Sequence, residues 1–282
     1  MQKQPQQEQR SNPADIPTLG KLLELRNSLG FVYGSEDTAM LFYALIRREQ
    51  PTNVVEFGTG LGVTAAWMAQ AVKENGAGRV WTLDDGSQWE DPGKIGAALN
   101  ALSEAPSFAG LATERPDYPT LIRRLGEELG VQDCLTFLLT HADMTKEDDF
   151  NADALPFLAK PIDFLFLDIN RTPDEILDSL YLLLPHLAES ASVFIDSAST
   201  SVVGYLFLEK LIDQLNHGKV PRRFLQGKSA DRRRMLTDLV AQRRFTLMHM
   251  VERLNRAQNS TAWIRIEPND YIPHPKVPMK WV

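Results

Sequence analysis

The chain is nearly devoid of cysteine: Cys134 stands alone among 282 residues. That excludes an internal disulfide and any cysteine-rich zinc site, and it fits a reducing, cytoplasmic setting. Long apolar runs are missing too. No stretch approaches the roughly 18 consecutive apolar residues of a membrane-spanning helix. Residues 1–13 are polar and rich in glutamine, with no apolar core to make a secretory signal, and read as a disordered tail. An excess of basic charge is also absent. Lys plus Arg number 30 against 37 Asp plus Glu, a net charge of −7. That balance disfavours nonspecific nucleic-acid binding, which rests on neutralising phosphates. What remains is 43% hydrophobic and 24% charged, enough apolar material for one large α/β domain with an extension, or two small domains.

The most informative segment is Val54-Val55-Glu56-Phe57-Gly58-Thr59-Gly60-Leu61-Gly62. An apolar strand ends in an acid, glycine then fills every second position, and a helix follows from Val63. Glycines let a backbone turn sharply and approach a ligand without Cβ clashes. The helix directs its positive amino-terminal end to the same place. A dinucleotide fingerprint needs Gly-x-Gly-x-x-Gly. Here the third glycine comes one residue early, at Gly62.

Around this motif, strands and helices alternate, which argues for a parallel sheet covered on both faces. Strands are expected at 53–57, 79–83, 135–139, 164–167, 192–195, 245–250 and 262–266. Helices are expected near 17–29, 36–48, 62–73, 118–129, 173–184 and 203–215. Residues 14–50 form a helical extension ahead of the main domain at 51–267, and 268–282, with Pro273, Pro275 and Pro278, form an extended arm. The stretch 84–119 interrupts the rhythm with one or two helical turns near 97–102. It is either a lid or an ordered surface insertion. The segment 219–244 is basic and reads either as a solvated helix pair with its linker or as a surface for RNA or a carrier phosphate.

The order Glu56-x-Gly58-x-Gly60-x-Gly62 resembles motif I of the class I S-adenosylmethionine (SAM) dependent methyltransferases. Across about 34–267 the pattern is most similar to the catechol O-methyltransferase type. The resemblance implies a Rossmann-like, seven-stranded, mostly parallel sheet ending in an antiparallel pair, with helices on both faces. It also implies residue roles. Glu56, Gly58, Thr59, Gly60 and Gly62 shape the cofactor loop. Asp84, or its neighbour Asp85, holds the ribose, and Asp143 with the Ala142 backbone receives the adenine. Ser35 and Glu36 close over the methionine end. Asp168 and Asp196 match acids that hold a divalent metal, usually Mg2+, which binds the acceptor's oxygens. Asp168 is also placed at the cofactor.

Two departures qualify the match. Ser197 replaces an asparagine metal ligand. Arg171 replaces the family's lysine base; an arginine does not lose its proton near neutral pH, and at this place it stabilises a developing oxyanion or binds an anionic substrate. The acceptor's proton then leaves under the metal's influence, or to another group such as His141, or the acceptor needs no strong base. His141 reads either as a site residue or as a satisfied structural histidine. The resulting expectation is SAM-dependent methyl transfer to a small-molecule acceptor at oxygen, in a cytoplasmic enzyme that can form a homodimer. The competing readings are an RNA or protein methyltransferase using 219–244, and a catalytically inactive SAM-fold partner protein.

Overall fold

The structure is a computed structural model. It describes residues 17–33, 36–147, 150–169, 172–251 and 260–270. Seven strands form one sheet in the order β3-β2-β1-β4-β5-β7-β6. They are β1 (Asn53–Phe57), β2 (Arg79–Asp84), β3 (Leu135–Leu139), β4 (Ile162–Leu167), β5 (Leu187–Asp196), β6 (Arg243–Val251) and β7 (Ser260–Pro268). The first five run parallel; β7 pairs antiparallel with both β5 and β6. Crossovers in a parallel sheet need a covering element on each face, and the helices supply it. The all-apolar Phe164-Leu165-Phe166-Leu167 is buried throughout, as a strand covered on both sides must be.

One face carries α1 (Pro17–Tyr33), α2 (Glu36–Glu49), α3 (Val63–Asn75), α4 (Pro92–Ser103), α5 (Ala109–Glu114) and α6 (Tyr118–Glu128). The other carries α7 (Pro173–Leu183), α8 (Val202–Asn216), α9 (Arg222–Leu225) and α10 (Ala230–Ala241). In α1, Leu22, Leu25 and Leu29 recur at helical spacing and are fully buried. In α2, Phe42 meets Phe164, Phe166 and Phe194 with ring centroids 4.5 to 5.3 Å apart, so the amino-terminal extension is part of the core.

The 84–119 insertion differs from its expected form. It contains the twelve-residue α4 and the short α5, and Leu99, Leu102, Phe108 and Leu111 are buried in the same cluster as α1. Glu24 of α1 accepts from both the backbone N–H and the hydroxyl of Ser107. Sequence reading underestimated these helices because four prolines and scattered glycines break the visible periodicity, while tertiary burial supplies the helix stability. The basic segment folds as a helix pair, α9 and α10. Its cations are partly spent on local pairs: Arg223 with Asp174 and Asp178, Lys228 and Arg232 with Glu147. No helix among the described residues is long and apolar enough to cross a membrane.

Candidate active site

Parallel strands deliver their carboxyl ends to one edge of the sheet, and open α/β sheets bind ligands outside that edge. A cleft of about 570 Å³ lies there, lined by Phe57, Gly58 and Gly60 after β1, by Asp84, Asp85, Ser87 and Gln88 after β2, by Thr140 to Thr145 after β3, and by Asp168 and Ile169 after β4. Glu175 and Asp178 of α7 complete it. A larger cavity, about 900 Å³, lies between α10, the start of β6 and the end of β7 and contains none of the strand-end acids.

The glycine loop is held by sterics and by a buried polar network. Gly58 sits at φ 95°, and a Cβ there would lie 2.8 Å from the carbonyl oxygen of Asp168. Only glycine lets β1 and β4 end this close together. Gly62, at φ 75°, caps α3 without a side-chain hydrogen bond, which leaves the first N–H groups of that helix open to a ligand. Glu56 is wholly buried beneath the loop and does not line the cleft. It accepts a hydrogen bond from Thr82, which also bonds Thr59 at 2.6 Å. Its Oε1 has no hydrogen-bond partner among the described residues. Burial therefore pushes the Glu56 carboxyl up to about 8.

Asp84 ends β2 and faces the loop. Its Oδ2 accepts from the N–H of Gly60 at 3.1 Å and its Oδ1 from that of Gly86 at 2.8 Å. Burial raises its carboxyl, and these N–H groups pull it back. The Tyr118 hydroxyl donates to the Gly60 carbonyl at 2.8 Å beside Asp84, and the ring stacks on Trp89. Burial and the neighbouring Asp84 hold the Tyr118 phenol far above its ordinary value. Asp85 turns the other way, taking Ser87 and His141. This separates the two candidates that sequence left together: Asp84 supports the loop and lines the cleft, while Asp85 sits on its outer rim. Tyr118, Thr59 and Thr82 escaped functional notice because each is an ordinary residue of its element.

Asp143 lines the cleft after β3. Its carboxylate takes the Thr145 N–H and hydroxyl and pairs with Lys146, and these donors hold it down to about 2. Ala142 lies beside it. His141 is largely exposed and contacts Asp85. Four strand spacings separate β3 from β5, about 19 Å, so His141 and Asp196 stand at opposite ends of the edge.

At the β5 end, the carboxyl groups of Asp168 and Asp196 are hydrogen-bonded to each other. Burial raises Asp196, while Ser197, Asp168 and Thr261 donate to it. Ser197 Oγ lies 2.7 Å from Asp196 Oδ2, and Thr261 Oγ1 3.3 Å from Oδ1. Ser197 itself adopts φ 57°, a left-handed conformation uncommon outside glycine and asparagine. Two carboxyl groups in contact require a positive charge between them, a proton or a cation. Next to this pair is a cluster that sequence did not reveal. Ser199 Oγ lies 2.5 Å from His249 Nδ1, and Glu209 lies 3.1 Å from His249 Nε2. A carboxylate can only accept, so Nε2 carries a proton, and in the neutral imidazole the Ser199 hydroxyl donates to Nδ1. Tyr205 stacks on the same ring at 3.8 Å. Ser35 and Arg171 lie outside the described residues, and Glu36 opens α2.

A family model described as a methyltransferase domain matches residues 55–198, just over half of the chain. The chain belongs to this methyltransferase family. The chain is also similar to solved structures. Cofactor-bound Rv0187 from MTB is 17% identical to this methyltransferase, with 92% of this chain and 94% of that one covered and a TM-score of 0.50. The O-methyltransferase TomG from Streptomyces achromogenes, involved in tomaymycin synthesis and solved with SAM, is 19% identical over 90% and 91% of the chains, TM-score 0.46. The O-methyltransferase from Bacillus cereus, solved with SAH, is 15% identical over 89% and 91%, TM-score 0.47. No curated protein matches the methyltransferase in sequence.

Proposed function

We propose that this methyltransferase uses SAM to methylate a small-molecule acceptor at a hydroxyl oxygen. The observation that carries the reading is the pairing of two unlike subsites on one strand edge. A glycine loop lies at β1 and β2, and a carboxyl pair lies at β4 and β5. SAM supplies a methyl group made electrophilic by a positive sulfonium. The residues present fit that cofactor. Gly58 and Gly60 admit close backbone approach, Asp84 keeps acceptor lone pairs for a ribose, and Asp143 with Ala142 borders the place for an adenine. The open first turn of α3 suits a carboxylate.

At the other subsite, Asp168 and Asp196 receive the acceptor's hydroxyl. An ionised carboxylate accepts the O–H hydrogen bond and takes the proton as the oxygen becomes nucleophilic. His141 plays no part, since it stands at the far end of the edge. The same pair would hold a divalent cation, because Mg2+ commonly takes one or two protein carboxylates and keeps its water. Such a cation would polarise the acceptor oxygen and take the place of the shared proton. The remaining chemistry is positioning and exclusion of water, which this rigid edge supplies.

The test is transfer of labelled methyl from SAM to a panel of phenols, catechols and aliphatic alcohols. Labelled product that disappears in Asp168→Asn supports the reading. Transfer that persists in both Asp168→Asn and Asp196→Asn refutes the acceptor site.

A further inference from the structure

The basic segment 219–244 supplies none of the described residues that line the cleft, yet three of its cations reach the cleft's walls. Arg223 of α9 donates to Asp178 from Nε at 2.8 Å and from Nη2 at 2.6 Å, and to Asp174 from Nη1 at 2.7 Å. Asp178 is one of the α7 residues that line the cleft. Lys228, between α9 and α10, and Arg232 of α10 pair with Glu147 at 2.7 and 3.1 Å. The Tyr181 hydroxyl of α7 donates to the same carboxylate at 2.6 Å. Both cations also lie over the Tyr181 ring, 4.5 and 5.5 Å from its centroid. Glu147 is thus clasped from α7 and from the basic segment at once.

Its place in the chain gives that clasp a purpose. Glu147 stands two residues beyond Thr145, the last residue after β3 that lines the cleft. No residue from 139 to 147 is buried, and no α-helix or strand spans 140–147. Apolar packing and a regular backbone ladder therefore do not fix the path of the stretch that carries Ala142 and Asp143. Its turn is closed locally, where Asp143 takes Thr145 and pairs with Lys146. At one end the Thr140 N–H donates to the Asp84 carbonyl at 2.9 Å. The Glu147 cluster holds the other end. A single exposed ion pair contributes little, but three groups from two elements fix a position. Partial burial works against ionisation of Glu147, and Lys228, Tyr181 and Arg232 outweigh it, so the carboxyl sits below its ordinary value.

We infer that Glu147 is a positioning residue: held by Tyr181, Lys228 and Arg232, it sets the loop that presents Asp143 and Ala142 to the adenine of SAM. This inference rests on the methyl-transfer reading and gives the basic segment its role there, a brace for the adenine end of the cleft. With the brace broken, the loop spends less of its time in the binding geometry, and affinity falls by that fraction. The choice of base should fall with it. The Asp143 carboxylate only accepts hydrogen bonds, so a fixed loop favours the amino group of adenine over a carbonyl at the same place.

The test is calorimetric titration of the full-length protein with SAH and with S-inosyl-L-homocysteine, in which a carbonyl replaces the adenine amino group. The wild type should prefer SAH by about tenfold or more. Glu147→Ala should bind SAH about tenfold more weakly and prefer it by less than about threefold. Lys228→Met combined with Arg232→Met should behave in the same way. Adding Glu147→Ala to that pair should weaken SAH no further, because all three act through one carboxylate. Lys228→Arg keeps the charge and should restore both affinity and base preference. Circular dichroism and one site per chain should persist throughout; should Glu147→Ala unfold, the Lys228→Met and Arg232→Met pair carries the comparison. Unchanged SAH affinity in these variants overturns the inference. Weaker binding with the base preference intact also overturns it, since a general structural role would do that. A wild type without base preference overturns it as well, because the loop then reads no adenine. Failure of SAH to bind the wild type sinks the methyl-transfer reading itself; with SAH bound, the other results bear on Glu147 alone.

Discussion

Glu56→Gln isolates the acid beneath the glycine loop, and its effect follows from burial. The carboxyl is fully buried and is raised from about 4.5 to about 8 by desolvation. In the unfolded chain it ionises near its ordinary value. Between these two values the native state holds a proton that the unfolded state has released. Stability from this group is therefore intact below about 4.5 and is lost as pH rises towards about 8, with a slope of roughly 1.4 kcal/mol per pH unit. The full loss is on the order of 4 to 5 kcal/mol, about 10 °C in Tm for a chain of this size. Glutamine keeps the acceptor for Thr82 and cannot ionise. Thermal unfolding of wild type and Glu56→Gln followed from pH 5 to pH 9 should show the variant gaining steadily on the wild type and levelling off above about pH 8. Taking the difference between the two proteins cancels the same-signed effects of Asp84 and Asp196. A difference in Tm that does not change with pH would refute the claim that Glu56 is held neutral.

Other consequences follow from the same geometry. Gly58→Ala adds a Cβ at a left-handed φ and 2.8 Å from the Asp168 carbonyl; it should cost roughly 1 to 3 kcal/mol in urea unfolding and reduce methyl transfer by displacing the end of β4. Tyr118→Phe removes the donor to the Gly60 carbonyl while keeping the stack on Trp89; SAM affinity should fall about 2- to 12-fold, the equivalent of one hydrogen bond, as read by calorimetry. Asp196→Asn should abolish methyl transfer while leaving SAM affinity within about threefold of wild type, because Asp196 ends β5 and lies outside the cleft lining that holds Asp84 and Asp143. Titrating Mg2+ into wild type in two buffers of different ionisation enthalpy should release protons from the Asp168–Asp196 pair, and no release should occur in Asp196→Asn.

The parts of this fold that were readable in sequence are those where one local signal suffices. Glu56 to Gly62 announces a strand, a tight turn and a helix start, and the structure places all three there. Thr172 and Pro173 mark the start of α7, where Thr172 and Glu175 form a capping box. The β-strand ends could be numbered because acids terminate apolar runs at Asp84, Asp168 and Asp196. What stayed hidden depends on contacts across the chain. The helices of the insertion are stabilised against α1, about 80 residues earlier. His249 lies in the middle of β6 and gains meaning only when Ser199 and Glu209 arrive from other elements. Asp84 and Asp85 are adjacent in sequence, and only the chain's turn at Gly86 sends one inward and the other to the rim.

Calorimetric titration of the purified protein with SAM, SAH and NAD, beside the Asp84→Ala variant, tests the central claim most directly. The account predicts binding of SAM and SAH at one site per chain, no binding of NAD, and at least a tenfold loss for both sulfur compounds in the variant. Absence of SAM and SAH binding, or affinities that Asp84→Ala leaves unchanged, would contradict it.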